Sequence, residues 1–104
     1  MKPPYYAVLF SNCLRNQDDV FYQNLSQNLR AQAEKQPGYI GLESYRNPDS
    51  KGITISYWEN LEAVARWKKH SEHLVAQQYG REKAYSQYSV RVCEVTREHH
   101  FSNP

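Results

Sequence analysis

Three features of this 104-residue chain predict an α+β fold of ferredoxin-like type, a four-stranded antiparallel sheet with both helices on one face. Four segments carry the residue types or alternation of strands. Two stretches repeat apolar residues at helical spacing. Their order is β-α-β-β-α-β, the split βαβ pattern. The length suits one domain, 1–104, whose tail from about residue 99 is expected to be flexible.

Tyr5 to Asn12, "YYAVLFSN", mixes aromatic and β-branched residues and forms the first strand. Asn16 to Asp19 then supplies turn and capping chemistry. From Val20 to Lys35, the residues Phe21, Leu25, Leu29 and Ala33 recur every four positions and mark one face of an amphipathic helix. Pro37 stops that helix and Gly38 permits a left-handed turn. Tyr39 to Arg46 alternates, with Ile40, Leu42 and Ser44 opposed to Tyr39, Gly41, Glu43 and Tyr45. After the turn-rich "NPDSKG", Ile53 to Trp58 alternates again, Ile53, Ile55 and Tyr57 against Thr54, Ser56 and Trp58, so the two strands form a hairpin. Asn60 caps a second helix, which either runs whole or breaks near His70 and Ser71, and Gly80 closes it. "REKAYSQY" is ambiguous. In "YSVRVCEVTRE", the longest strand, Val90, Val92, Glu94 and Thr96 oppose Ser89, Arg91, Cys93, Val95 and Arg97.

Thirteen basic and 11 acidic residues are interspersed along the chain, for a net charge of +2. There is no basic stripe to track phosphates, so no nucleic acid is expected as a partner. No run approaches the roughly 18 apolar residues of a membrane span, and "MKPPYY" lacks the apolar run of an export signal. Cys13 and Cys93 fall in separate elements with no CxxC, which predicts reduced thiols in a cytoplasmic protein. Nine Tyr, three Phe and two Trp are too many rings for a disordered chain and suit a ring-lined pocket or an aromatic interface. Two helices cover one sheet face only. The open face would carry mixed aromatic, apolar and polar residues, so a homodimer formed sheet to sheet is expected.

The second helix holds the densest chemistry. On a wheel of about 100° per residue, Ala63, Val64, Trp67, Leu74 and Val75 share one face, and His70 lies about 60° to one side of Trp67. Arg66, His73 and Gln77 continue round that side. A border histidine can turn one ring nitrogen to a ligand and the other to a fixing partner, or it can simply meet water. His70 and His73 at i, i+3 lack the further ligands of a usual site, so no metal is expected. No nucleophile elbow, phosphate-cradling glycine loop or dinucleotide fingerprint is present, and no cofactor is expected.

The blocks "PGYIGLES", "GITISYWENLEAVARWKKHSEHLVAQQYGREKAY" and "YSVRVCEVTRE" resemble the antibiotic-biosynthesis monooxygenase family of the dimeric α+β barrel superfamily. The likeness is to a subgroup of small stand-alone bacterial proteins, mostly of unassigned function. It implies a ferredoxin-like fold paired face to face, the fourth strand reaching into the other subunit, and a cavity in each subunit between helices and sheet. It also implies oxidation of an aromatic or phenolic substrate with O2 and no prosthetic group. Under that implication Trp58 and Trp67 wall the pocket. His70 or His73 acts as base or oxyanion donor, and Tyr57, Arg81 or Tyr85 orients the ligand. The alternatives are a non-catalytic binding or sensor domain, and a haem-binding or haem-degrading protein. Haem-degrading relatives place a histidine where this chain has Gln77 and an asparagine within the first strand, whereas Asn12 is expected at that strand's end.

Overall fold

A computed structural model describes residues 1–16, 18–78 and 81–104, apart from the side chains of 76–78, 81 and 82. The elements are β1 (Tyr5–Leu14), α1 (Val20–Glu34), β2 (Tyr39–Arg46), β3 (Lys51–Trp58), α2 (Leu61–Gln78), a short α3 (Arg81–Ala84) and β4 (Tyr85–Val95). The strands form one antiparallel sheet in the order β2-β3-β1-β4, so β1 and β3 are central and β4 is an edge. This is the expected ferredoxin-like arrangement.

The helix boundaries follow the capping chemistry. Asp19 Oδ1 accepts a hydrogen bond from the Phe21 amide at 2.9 Å, and Asn60 Oδ1 accepts from the Ala63 amide at 2.8 Å. α2 runs unbroken past His70 and Ser71, where the Ser71 hydroxyl bonds back to the Lys68 carbonyl at 3.1 Å within the helix. The proposed stop at Gly80 lies outside the described residues. The ambiguous "REKAYSQY" divides into α3 and the start of β4. β1 runs two residues further than expected because Cys13 and Leu14 still find partners on β4.

Two side-chain expectations are overturned. Phe21 is 71% exposed, while its neighbour Tyr22 packs inward against Leu14, Ala84 and Tyr85. The inward stripe of α1 therefore runs through Tyr22, Leu25, Leu29 and Ala33. In β2 the pairing shifts between Tyr39 and Gly41, so Ile40 is an extra residue. Such a bulge resets the alternation and places Tyr39 beside Leu42 on the core side, edge-on to Trp58 at 5.7 Å.

Gly38 joins α1 to the sheet under tight constraint. Its φ is +83°, and a Cβ there would meet the Ala63 Cβ at 2.7 Å. Gly38→Ala is expected to cost at least about 2 kcal/mol, from the left-handed backbone plus the clash with α2. Urea unfolding of G38A, with and without Ala63→Gly, checks this; A63G should relieve the clash but leave the backbone cost.

Candidate active site: a helix–sheet cavity

Two core clusters hold the helices on the sheet. One gathers Ala33, Trp58, Ala63 and Val64, with Val8, Leu42 and Trp67 packed on it. The other gathers Leu14, Ala84 and Tyr85, with Phe10 and Tyr22. Residues of both clusters wall a cavity of ≈ 430 Å³ between the sheet and the two long helices, a size that suits a small organic ligand.

The sheet supplies its floor. Val8 and Phe10 come from β1, Leu42 and Ser44 from β2, and Thr54 and Ser56 from β3. Val90 and Val92 of edge strand β4 also line it and stay half exposed, so the chamber is less enclosed on that side. α1 contributes Tyr22, Ser26, Leu29 and Arg30. α2 contributes Val64, Trp67, Lys68, Ser71, Glu72 and Val75.

The floor is apolar except for a short row of hydroxyls. Ser44 and Thr54 face each other across β2 and β3 and share one hydrogen bond of 2.9 Å. The Ser56 hydroxyl is buried and accepts from Trp58 Nε1 at 2.9 Å. A hydroxyl that accepts in this way keeps its own hydrogen for another acceptor. One hydrogen of the Ser44–Thr54 pair is spare by the same count.

Of the expected site residues, Trp67 and Tyr85 line the cavity. Trp67 is stacked on Trp58 with ring centroids 5.7 Å apart. Trp58 itself is fully buried behind that wall, with no exposed surface, and serves as a packing anchor. Tyr85 stands edge-on to Phe10 at 5.1 Å and to Tyr22 at 5.8 Å. The side chain of Arg81 lies outside the described residues.

His70, His73 and Tyr57 are not brought to the cavity. The helical wheel gives the reason for the histidines. Measured from Trp67 at about 100° per residue, the cavity-lining Ser71, Val64, Val75, Lys68 and Glu72 fall at about +40° to +140°. His70 and His73 fall on the opposite side, at about −60° and −120°. The apolar stripe of α2 has two polar borders, and the cavity adjoins the one bearing Lys68 and Glu72. His70 packs against Trp67 with centroids 6.0 Å apart, and its buried Nε2 has no hydrogen-bond partner among the described residues. His73 is exposed. Asn12 lies inside β1 rather than at its end; it is buried, bonds through Nδ2 to the Phe10 carbonyl, and is not among the cavity-lining residues.

Tyr57 lies on the other face of the sheet by the alternation of β3. Its hydroxyl donates to Glu43 Oε1 at 2.6 Å, and Tyr45 donates to Glu43 Oε2 at 3.0 Å. These donors lower the Glu43 pKa. Tyr57 is pushed up from 10.0 to about 12, chiefly by its bond to Glu43 and then by burial. A raised phenol pKa stabilises the fold fully below 10.0, and that stability is lost as pH rises through about 12. Chemical unfolding across this window should show a loss of stability that is reduced in Tyr57→Phe.

The comparisons with known proteins agree with this architecture. Residues 4–79 match the family model described as antibiotic biosynthesis monooxygenase. The protein YqjZ of Bacillus subtilis (strain 168) is 41% identical over 100 residues, covering 96% of this chain and 87% of that one. Jasmonate monooxygenase ABM of Pyricularia oryzae is 28% identical over 95 residues, which are 88% of this chain and 43% of that longer protein. SnoaB, a cofactor-independent oxygenase from Streptomyces nogalater, has the same fold at a TM-score of 0.66 and 10% identity, over 97% of this chain and 100% of that one. No helix among the described residues is long and apolar enough to cross a membrane. On the match to its family model and the likeness to YqjZ, this chain belongs to the antibiotic biosynthesis monooxygenase family.

Proposed function

We propose that the chain is a cofactor-independent monooxygenase that oxidises a small aromatic or phenolic substrate with O2 inside the helix–sheet cavity. The observation that carries this reading is the hydroxyl row set in an otherwise apolar floor: Ser56, oriented by Trp58, beside the Ser44–Thr54 pair. Loss of a phenol's proton to solvent gives an electron-rich anion able to react with O2 directly, and the proton is regained when the second oxygen atom leaves as water. Donors held in place beforehand stabilise that anion, and of this row Ser56 is the buried one. Ser56 is the first such donor and Trp67 stacks on the ring, so neither histidine is needed to hold the oxyanion. For a substrate methylene, oxygen transfer balances without further reductant. One oxygen atom becomes the product carbonyl, the other leaves as water, and the electrons come from the oxidised carbon. A haem-degrading role is less well served, since the described lining offers no histidine, cysteine or methionine as an axial iron ligand, and its two tyrosines, Tyr22 and Tyr85, are packed edge to face on each other. The names of SnoaB and of the jasmonate monooxygenase also support an oxygenase.

Oxygen uptake with a panel of hydroxyquinones and anthrones tests the proposal. Uptake with transfer of labelled oxygen into the product is expected. Binding of these compounds without any uptake would leave a binding or sensor domain instead.

We also propose a homodimer formed through the uncovered sheet face. That face carries Leu9 on β1 paired with Ile55 on β3, and Ile53 lies two positions along the same strand. An apolar sheet face without helices over it is a natural interface. Light scattering should give twice the monomer mass, and Ile55→Asp should shift it toward the monomer.

A further inference from the structure

Resting on the reading of this cavity as the substrate site, we infer that the substrate is an amphipathic carboxylic acid. Its ring-bearing body lies on the apolar floor, and its carboxylate is held between Arg30 of α1 and Lys68 of α2. These two cations come from different helices yet line the same chamber, and both are exposed. Neither is ion-paired among the described residues. The one carboxylate in the described lining, Glu72, is already engaged in a contact of its own. Among the described lining residues, two cations against one carboxylate leave a single net positive charge, which matches a monoanion.

Position fixes the orientation. A carboxylate on the floor would meet Val8, Leu42 and buried Ser56, where an unpaired charge is costly. Between Arg30 and Lys68 it keeps part of its hydration, and the planar guanidinium fork can grip both oxygens. The opposite, hydroxyl-bearing end of the substrate then reaches Ser56 and the Ser44–Thr54 pair. The cations thus select the substrate and orient it, while the floor hydroxyls meet the reacting end.

Titration of tryptophan fluorescence with 6-hydroxy-2-naphthoate and with its methyl ester tests this, because Trp67 forms part of the wall. The wild-type protein should bind the acid about tenfold more tightly than the ester, the scale of partly exposed ion pairs. That preference should shrink in about 1 M salt, where charges are screened over a few ångströms. In R30Q/K68Q the preference should vanish, the acid losing about tenfold more affinity than the ester. Ser71→Phe, which fills the chamber from α2, should weaken both ligands, with circular dichroism confirming the fold. Equal wild-type affinities for acid and ester, both weakened by S71F, would overturn the carboxylate inference and leave the cavity reading intact. A preference that survives in R30Q/K68Q would likewise overturn it. Binding untouched by S71F in a folded protein would overturn the cavity reading itself and the inference with it.

Discussion

Trp58→Ala is expected to remove about 3–5 kcal/mol of stability, the usual cost of truncating a buried tryptophan. This residue is fully buried, meets Tyr39 edge-on, stacks on Trp67 and bonds to Ser56. Its loss would open a void in the larger core cluster and remove the support behind the cavity wall. A small domain has only about 5–15 kcal/mol in total, so the variant should be largely unfolded on mild heating. Trp58→Phe separates the two contributions. It keeps an aromatic ring but leaves Ser56 without its indole donor, at a further cost near 1 kcal/mol. Thermal unfolding of both variants measures the difference; a W58A protein as stable as the wild type would contradict the packing role.

The second large effect concerns chemistry. Ser56→Ala should lower kcat by about 100-fold or more, the range seen when one oxyanion donor is removed. Substrate binding should change much less, because the walls stay in place. Ser56→Thr retains a hydroxyl and should recover much of the activity. His70→Ala and His73→Ala should leave kcat close to wild type, since neither ring reaches the cavity. Steady-state oxygen uptake with the four variants decides the matter. A collapse of kcat in H70A with S56A unaffected would return the oxyanion role to the histidine.

The contrast between Ser56 and His70 shows how far residues alone could lead. Strand and helix order was legible because turn chemistry at "QPG" and "NPDSKG" punctuates clear periodicities. The bulge at Ile40 was not, since an extra residue leaves no mark in an alternating pattern. On α2 the apolar stripe was legible, but a stripe has two borders, and sequence does not say which one meets the cavity. The histidines mark one border, while Lys68, Ser71 and Glu72 lie on the border that adjoins the cavity. The floor hydroxyls were hidden for another reason. In β3 the alternation separates the isoleucines from Thr54 and Ser56 without saying which set meets the helices. The structure puts Thr54 and Ser56 under the helices, lining the cavity. A polar strand face ending in tryptophan, opposite an apolar face, was the available signal for a lined chamber.

The most direct test is a map of amide chemical shifts during titration with 6-hydroxy-2-naphthoate. If the helix–sheet cavity is the binding site, the shifts should concentrate on Val8, Phe10, Leu42, Ser56, Val64 and Val75. They should spare Leu9, Ile53, Ile55 and Cys93 on the other sheet face. Shifts confined to that second face, or to the His70 and His73 side of α2, would contradict the assignment of the cavity as the site.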